Sequence, residues 1–207
     1  MNDNVTLLVL PRSQRLKAAT HGIHDALDKR IMAADIFASR DHYARFLRVQ
    51  YRFHHDIEAL YADPALATLL PGLRERARLL RIANDLSDLQ QPLPPPVTAQ
   101  TLGLELPAAL GWLYVAEGSN LGGAVLFKLA QTRLGLSSSF AASHLAAHPD
   151  GAARHWRQFT QALDGAELTG PQEQQVIDGA TAAFAAVRAY AAQELPVAGQ
   201  PDAAKPA

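Results

Sequence analysis

Two polar side chains interrupt an apolar helical stripe, and they are the first candidates for chemistry. Tyr43, Phe46, Leu47, Gln50, His54, Ile57 and Tyr61 recur at three- or four-residue steps, which puts an amide and an imidazole on a core-facing side. A buried polar group without a partner costs about 1–3 kcal/mol. Gln50 and His54 therefore line a polar pocket or close a satisfied hydrogen-bond network; the spacing fits both. One helix earlier stand His21 and His24, the latter two turns after Lys17. A cation and an imidazole on one face can address one ligand, although two histidines at this spacing are a poor metal signature. Carboxylate-bridged di-iron bundles need Glu-x-x-His twice, and no glutamate here is followed by histidine three residues later.

The third feature is Glu117-Gly118-Ser119-Asn120-Leu121-Gly122-Gly123, set between apolar segments. Glycine inside a helix costs about 1 kcal/mol relative to alanine. Such a helix packs closely on a neighbour, kinks, or has a flat ligand against its bare backbone. The first and last readings fit equally well. No strand precedes the glycines, and their spacing matches neither a P-loop nor a dinucleotide fingerprint. His42, His55, His144, His148 and His155 fall into no chemical pattern and are given no role. No nucleophile elbow or Ser-His-Asp order supports a hydrolase.

Composition narrows the class. The 207 residues suit one domain with a real core. The absence of cysteine excludes disulfides, thiolate metal sites, iron–sulfur clusters and a cysteine nucleophile. A formal charge of -1 argues against nucleic acid as the main partner. No apolar stretch approaches the ~18 residues of a membrane span, and Met1–Leu10 is a poor signal peptide, so a cytoplasmic protein without a membrane partner is expected.

The elements that must hold these residues are helices. The fold class is all-α, since β-branched runs and hairpin signals are scarce. Helices are expected from Ser13 to Met32, from an N-cap at Ser39 to Tyr61, from Pro71-Gly72 to Leu89, from Pro107 to Leu134, over 152–163 and over 171–194, with a short helix or turn at Leu66–Leu70. Loops are expected at 90–106, rich in proline, and at 135–150. Residues 1–12 read as a flexible segment, 13–194 as the domain and 195–207 as a disordered tail. Arg45, Arg48, Arg52, Arg74, Arg76, Arg78 and Arg81 form a basic surface, a solvated face or a dock for an acidic partner.

Four segments in order carry a resemblance: Thr20–Asp28 (THGIHDALD), Phe46–Tyr61 (FLRVQYRFHHDIEALY), Ala109–Lys128 (ALGWLYVAEGSNLGGAVLFK) and His144–Trp156 (HLAAHPDGAARHW). Over roughly residues 11–190 the chain resembles bacterial haem oxygenases of the iron-acquisition type, a branch that includes enzymes serving bacteriophytochromes. The resemblance implies a single-domain bundle with haem b between a proximal helix and a glycine-kinked distal helix. It implies His24, not His21, as axial iron ligand, and Gly118, Ser119, Asn120, Gly122 and Gly123 as the distal helix against the porphyrin. Gln50 and His54 match a distal water network. Lys17 and Tyr114 match propionate partners, with Lys128 a further candidate, and Phe184 is implied to pack on the haem.

The activity implied is oxidative cleavage of haem, which is both substrate and cofactor, to biliverdin, carbon monoxide and ferrous iron. It uses O2 and electrons from a ferredoxin, a flavodoxin or an NAD(P)H-dependent reductase. Lys17 and Tyr114 follow relatives that open the ring at the α position. Gly123 stands where relatives often have alanine, and the proline-rich loop is longer. The competing reading is a non-enzymatic haem carrier or sensor; a thiaminase-like enzyme would need a cysteine.

Overall fold

A computed structural model describes residues 10–195. The expectations for residues 1–9 and 196–207 lie outside it. Among the described residues seven α-helices follow one another: α1 (Arg12–Ala33), α2 (Arg40–Tyr61), α3 (Pro64–Leu69), α4 (Leu79–Asp88), α5 (Leu106–Leu134), α6 (Ala152–Gly165) and α7 (Gly170–Glu194), with single 3-10 turns at Arg74–Arg76 and Ser143–Leu145. No strand is formed among the described residues, only isolated bridges at Ser137.

Local chemistry sets the helix ends. Ser39 accepts from the His42 backbone N–H at 3.2 Å, the N-cap expected from the sequence. Asp63 caps α3 through the Ala65 and Leu66 N–H groups. Thr169 and Gln172 form a capping box at α7, and Gly135 ends α5 at φ 65°. α1 has no capping side chain of its own. Asp164 of α6 reaches across instead, accepting from the Ser13 N–H at 2.7 Å and its hydroxyl at 2.8 Å.

Two expectations need correction. Residue 12 is not part of a flexible segment. Arg12 is buried, pairs with Glu173 at 2.8 Å and donates to the Leu163 and Ala166 carbonyls. At the other end Leu195, expected to begin the tail, is also buried. The helix expected from Pro71 to Leu89 is broken as well. Leu73 is buried, Arg74–Arg76 make one 3-10 turn, and Ala77 turns extended at ψ 137° before α4 begins. Arg76 and Arg78 are drawn inward to partners on other elements, so tertiary contacts override helix propensity here.

The core lies between α5 and its neighbours. Leu16 and Leu27 of α1, Leu47 and Ile57 of α2, Leu110 and Leu113 of α5, and Val176 and Ala183 of α7 are all buried in it. The closest approach is between α5 and α7. A Cβ on Gly111 would strike the Val176 carbonyl, and one on Gly179 would strike the Ala108 carbonyl. These two glycines let the backbones meet. Beyond them α5 continues as unbroken helix through the glycine-rich segment, so any bend there does not interrupt the helical ladder. Asp56, wholly buried, ties down the proline-rich loop by accepting from the Gln100 N–H at 3.0 Å and the Tyr190 hydroxyl at 2.6 Å.

Candidate active site

A cavity of about 400 Å³ opens between α1 and the second half of α5. α1 brings Lys17, His21 and His24 to it, α2 brings Gln50 and His54, and α7 brings Phe184. α5 brings Tyr114 and residues 118–123. Every site residue expected from the sequence therefore lines this one cavity, with one exception. Lys128 is exposed and does not line the cavity.

The two histidines of α1 differ in what they leave free. His21 Nε2 lies 3.4 Å from Asp25 Oδ2. His24 instead turns Nδ1 towards Asp28 Oδ2 at 3.3 Å and sets its ring edge-on to Phe184 at 5.8 Å. Its Nε2 has no partner among the described residues, and the ring is half exposed at the cavity. A carboxylate at one ring nitrogen and a free second nitrogen is the arrangement of an imidazole ligand. No group of three or more ligating side chains stands ready to hold a metal ion by itself among the described residues. A lone imidazole suits an iron whose remaining coordination comes from a porphyrin.

Across the cavity, the glycines separate into two kinds. Gly111 and Gly179 serve helix packing. A Cβ on Gly122 would meet nothing within 4 Å, and one on Gly118 would stand 3.5 Å from Trp156. At Gly118 and Gly122 the missing side chain therefore relieves no clash within the protein, and bare backbone faces the cavity. Of the two readings open in the sequence, a flat ligand against that backbone is the one this geometry fits. Ser119 turns its hydroxyl back to the Ala116 carbonyl at 2.7 Å.

Behind the glycines lies a buried charge network. Glu117 accepts from Arg76 at 2.8 Å and from the Tyr61 hydroxyl at 3.1 Å. Arg76 also meets His155 Nδ1 at 3.3 Å and its carbonyl at 3.2 Å, and His155 stacks on His148 with centroids 4.4 Å apart. Burial pushes the Glu117 carboxyl upward despite Arg76. Burial, with Arg76 next, lowers His155 to about 4.

The floor of the cavity is more polar than the sequence foretold. His54 is almost wholly buried and its Nδ1 has no partner, so it closes no network within the protein. Burial, then Arg78 and His144, push its pKa down to about 3. Arg78 and His144 also line the cavity, and Arg78 donates to the His144 carbonyl. Tyr114 packs on Trp156 at 5.5 Å, and burial with Asp164 raises its hydroxyl to about 12.

Sequence reading missed Asp28, Arg78, His144 and Trp156. Asp28, His144 and Trp156 sit inside the resembling segments, which was the available signal; Arg78 carried none. The expected basic surface is largely internal. Arg48 and Arg52 pair with Glu194 at 2.8 and 2.9 Å, Arg76 is buried on Glu117, and Arg78 is turned to the cavity. Arg74 and Arg81 remain exposed.

A helical bundle whose cavity sets the His24 imidazole, with a free ring nitrogen, beside bare helix backbone fits the class of porphyrin-handling proteins. The family described as heme oxygenase matches residues 10–192, and the chain belongs to that family. It is 45% identical over 174 residues to heme oxygenase PigA of Pseudomonas aeruginosa, covering 84% of this chain and 87% of that protein. It is 31% identical over 150 residues to a heme oxygenase of Xanthomonas campestris pv. campestris, covering 70% and 86%. The crystal structure of the NO- and CO-bound heme oxygenase from Neisseria meningitidis superposes with a TM-score of 0.86 at 36% identity, over 96% of this chain and all of that one. Heme oxygenase 2 from Chlamydomonas reinhardtii, at 18% identity and a TM-score of 0.72 over 92% of this chain and all of that one, shares the fold. The protein is thus an enzyme that degrades haem, with haem as its substrate and a requirement for O2 and a reductant. That decides against a non-catalytic carrier. Among the described residues no helix is long and apolar enough to cross a membrane.

Proposed function

We propose that haem b is held in the cavity between α1 and α5 with His24 as its axial ligand, and that the product is α-biliverdin, released with carbon monoxide and ferrous iron. The observation that carries this reading is the pairing of a free His24 Nε2, backed by Asp28, with the Cβ-free surface of Gly118 and Gly122 opposite. Bound haem supplies the iron that activates O2 and is itself the molecule oxidised.

The side chains divide the remaining work. Lys17 at the cavity wall offers an ammonium to a propionate, and Tyr114 a hydroxyl that stays protonated at neutral pH. These two fix the rotation of the ring, and so the edge that is attacked. Phe184 supports both the His24 ring and the apolar porphyrin edge. Residues 118–123, including Ser119, Asn120 and Gly123, crowd the opposite face and keep it from bulk water. Gln50 and His54 hold ordered water there. His54 is kept neutral, so its ring nitrogens hydrogen-bond that water without carrying a charge into the site. Lys128 is left without a role at the cavity.

The electron donor we infer is a ferredoxin, a flavodoxin or an NAD(P)H-dependent reductase. Arg74 and Arg81, both exposed, offer an acidic partner a smaller dock than the sequence suggested. The setting we infer is the cytoplasm, where the product iron serves acquisition or the biliverdin serves a bacteriophytochrome.

Titration with haem, then ascorbate-driven turnover with chromatography of the product, tests the reading. His24→Ala is expected to abolish the normal haem spectrum, and the wild type to give mainly α-biliverdin. An unchanged spectrum in His24→Ala would remove His24 as ligand. Mainly β- and δ-biliverdin would remove the assigned roles of Lys17 and Tyr114.

A further inference from the structure

The loop before α6 carries a histidine that the sequence left without a role. His144 is 3% exposed and Asp85 is 0% exposed. Their side chains meet, Nδ1 to Oδ2, at 2.7 Å. The same carboxylate accepts from the backbone N–H groups of Ser143 at 2.8 Å and His144 at 3.0 Å. A carboxylate that accepts at Nδ1 fixes the imidazole as the Nδ1–H tautomer and leaves Nε2 as a lone-pair acceptor. That Nε2 is buried without a partner, as is Nδ1 of His54, and both rings belong to the cavity wall.

We propose that His144, oriented by Asp85, is a positioning residue for haem cleavage: its Nε2 holds ordered water at the distal side of the cavity and passes protons through it to the water held by Gln50 and His54. The inference rests on the haem site proposed above.

A purely structural role leaves the ring unexplained. The two backbone N–H groups on Asp85 already fasten the turn Ser143–Leu145 to α4. An apolar ring would fill the same space beside Phe46, 6.3 Å away, without orphaning a nitrogen. The groups facing the ring come from three directions. They are Asp85 of α4, Arg78 from the segment before it, whose guanidinium donates to the His144 carbonyl, and His54 of α2. Tyr43, from α2, approaches Asp85 with a buried, unpartnered hydroxyl. Burial and Arg78 disfavour the imidazolium, while Asp85 favours it. The balance leaves His144 neutral at rest yet able to accept a proton at Nε2 transiently while Asp85 holds the opposite N–H. Proton bookkeeping is closed: one proton enters from solvent-connected water, resides on Nε2, and leaves along the same water towards the cavity.

His144→Asn keeps a donor for Asp85 and deletes Nε2; Asp85→Asn keeps the ring and deletes the orienting carboxylate. For each full-length protein, haem affinity is titrated, and ascorbate-driven turnover of the complex is followed across the neutral pH range. In the haem-free protein, the His144 tautomer is read from ring-nitrogen NMR. The expected result is haem affinity within about twofold of wild type and turnover lower by about 10- to 100-fold. The pH profile of His144→Asn is expected to be altered, and His144 in Asp85→Asn to move towards the Nε2–H tautomer. Turnover within about threefold at every pH overturns the proposal, as does a turnover loss matched by an equal loss of haem affinity. Should Asp85→Asn fail to fold, His144→Asn alone decides. His24→Ala in the same assay separates the two readings. If that variant keeps its haem spectrum, the haem site itself is misassigned, whatever His144 does.

Discussion

Arg76 donates to Glu117 at 2.8 Å, and both side chains are nearly sealed from solvent, at 5% and 1% exposure. Glu117 is the residue immediately before the first cavity-facing glycine. Removing one member of a buried pair strands the other charge, at a cost of about 3–5 kcal/mol. Glu117→Ala is expected to lose that much stability in urea unfolding. Glu117→Gln, which keeps an acceptor for Arg76 and Tyr61, is expected to lose less.

Gly122 offers a sharper separation of folding from function. A Cβ there meets nothing in the protein, so Gly122→Ala is expected to stabilise the haem-free chain by about 0.5–1 kcal/mol through helix propensity. The same methyl projects where haem is proposed to lie, so haem affinity is expected to fall. A melt combined with a haem titration checks both signs at once.

Gly111 predicts the reverse on the same helix. Its added Cβ runs into the Val176 carbonyl, backbone that cannot step aside without moving α7. Gly111→Ala is expected to destabilise by about 1–3 kcal/mol, read as a lower urea midpoint.

Acid sensitivity of the haem-free protein follows from His54. Its folded pKa of about 3 lies below the ordinary value of 6.5, so the unfolded chain binds the extra proton between those two pH values. Stability is thus fully present above the ordinary value and falls as pH drops through that window. His54→Gln is expected to flatten the fall, by about one proton fewer taken up on unfolding, measured from urea midpoints at successive pH values.

What was legible in the sequence was whatever local pattern and packing agree on. α2 begins after Ser39 and ends at Tyr61 as read, because the cap and the apolar stripe select the same boundaries. Gln50 and His54 were legible because each breaks an apolar helical face, whereas His24 was set apart from His21 only by the resemblance. The segment 71–89 was not, since its helix is interrupted by Arg76 and Arg78 reaching for Glu117 and the His144 carbonyl, partners far away in the chain. Asp85–His144 was hidden for the same reason: neither residue is unusual until the fold brings the two together. The central glycines were ambiguous because close helix packing explained them equally well, and the fold gives that packing to Gly111 and Gly179 instead.

That division of labour has a mechanical consequence. Gly111 clamps the first half of α5 against α7, and every residue from Ala109 to Glu117 is buried. Past Gly118, residues such as Leu121 and Val125 stand exposed. Further on the helix is held again, with Ala130 fully buried and the Leu134 carbonyl accepting from Arg40 at 3.2 Å, so α5 is a beam supported at both ends of the span that roofs the cavity. Thermal displacement of such a beam is greatest between its supports, so breathing over the cavity needs no hinge, lid or unfolding, only the elasticity of a helix whose middle stretch is left unweighted.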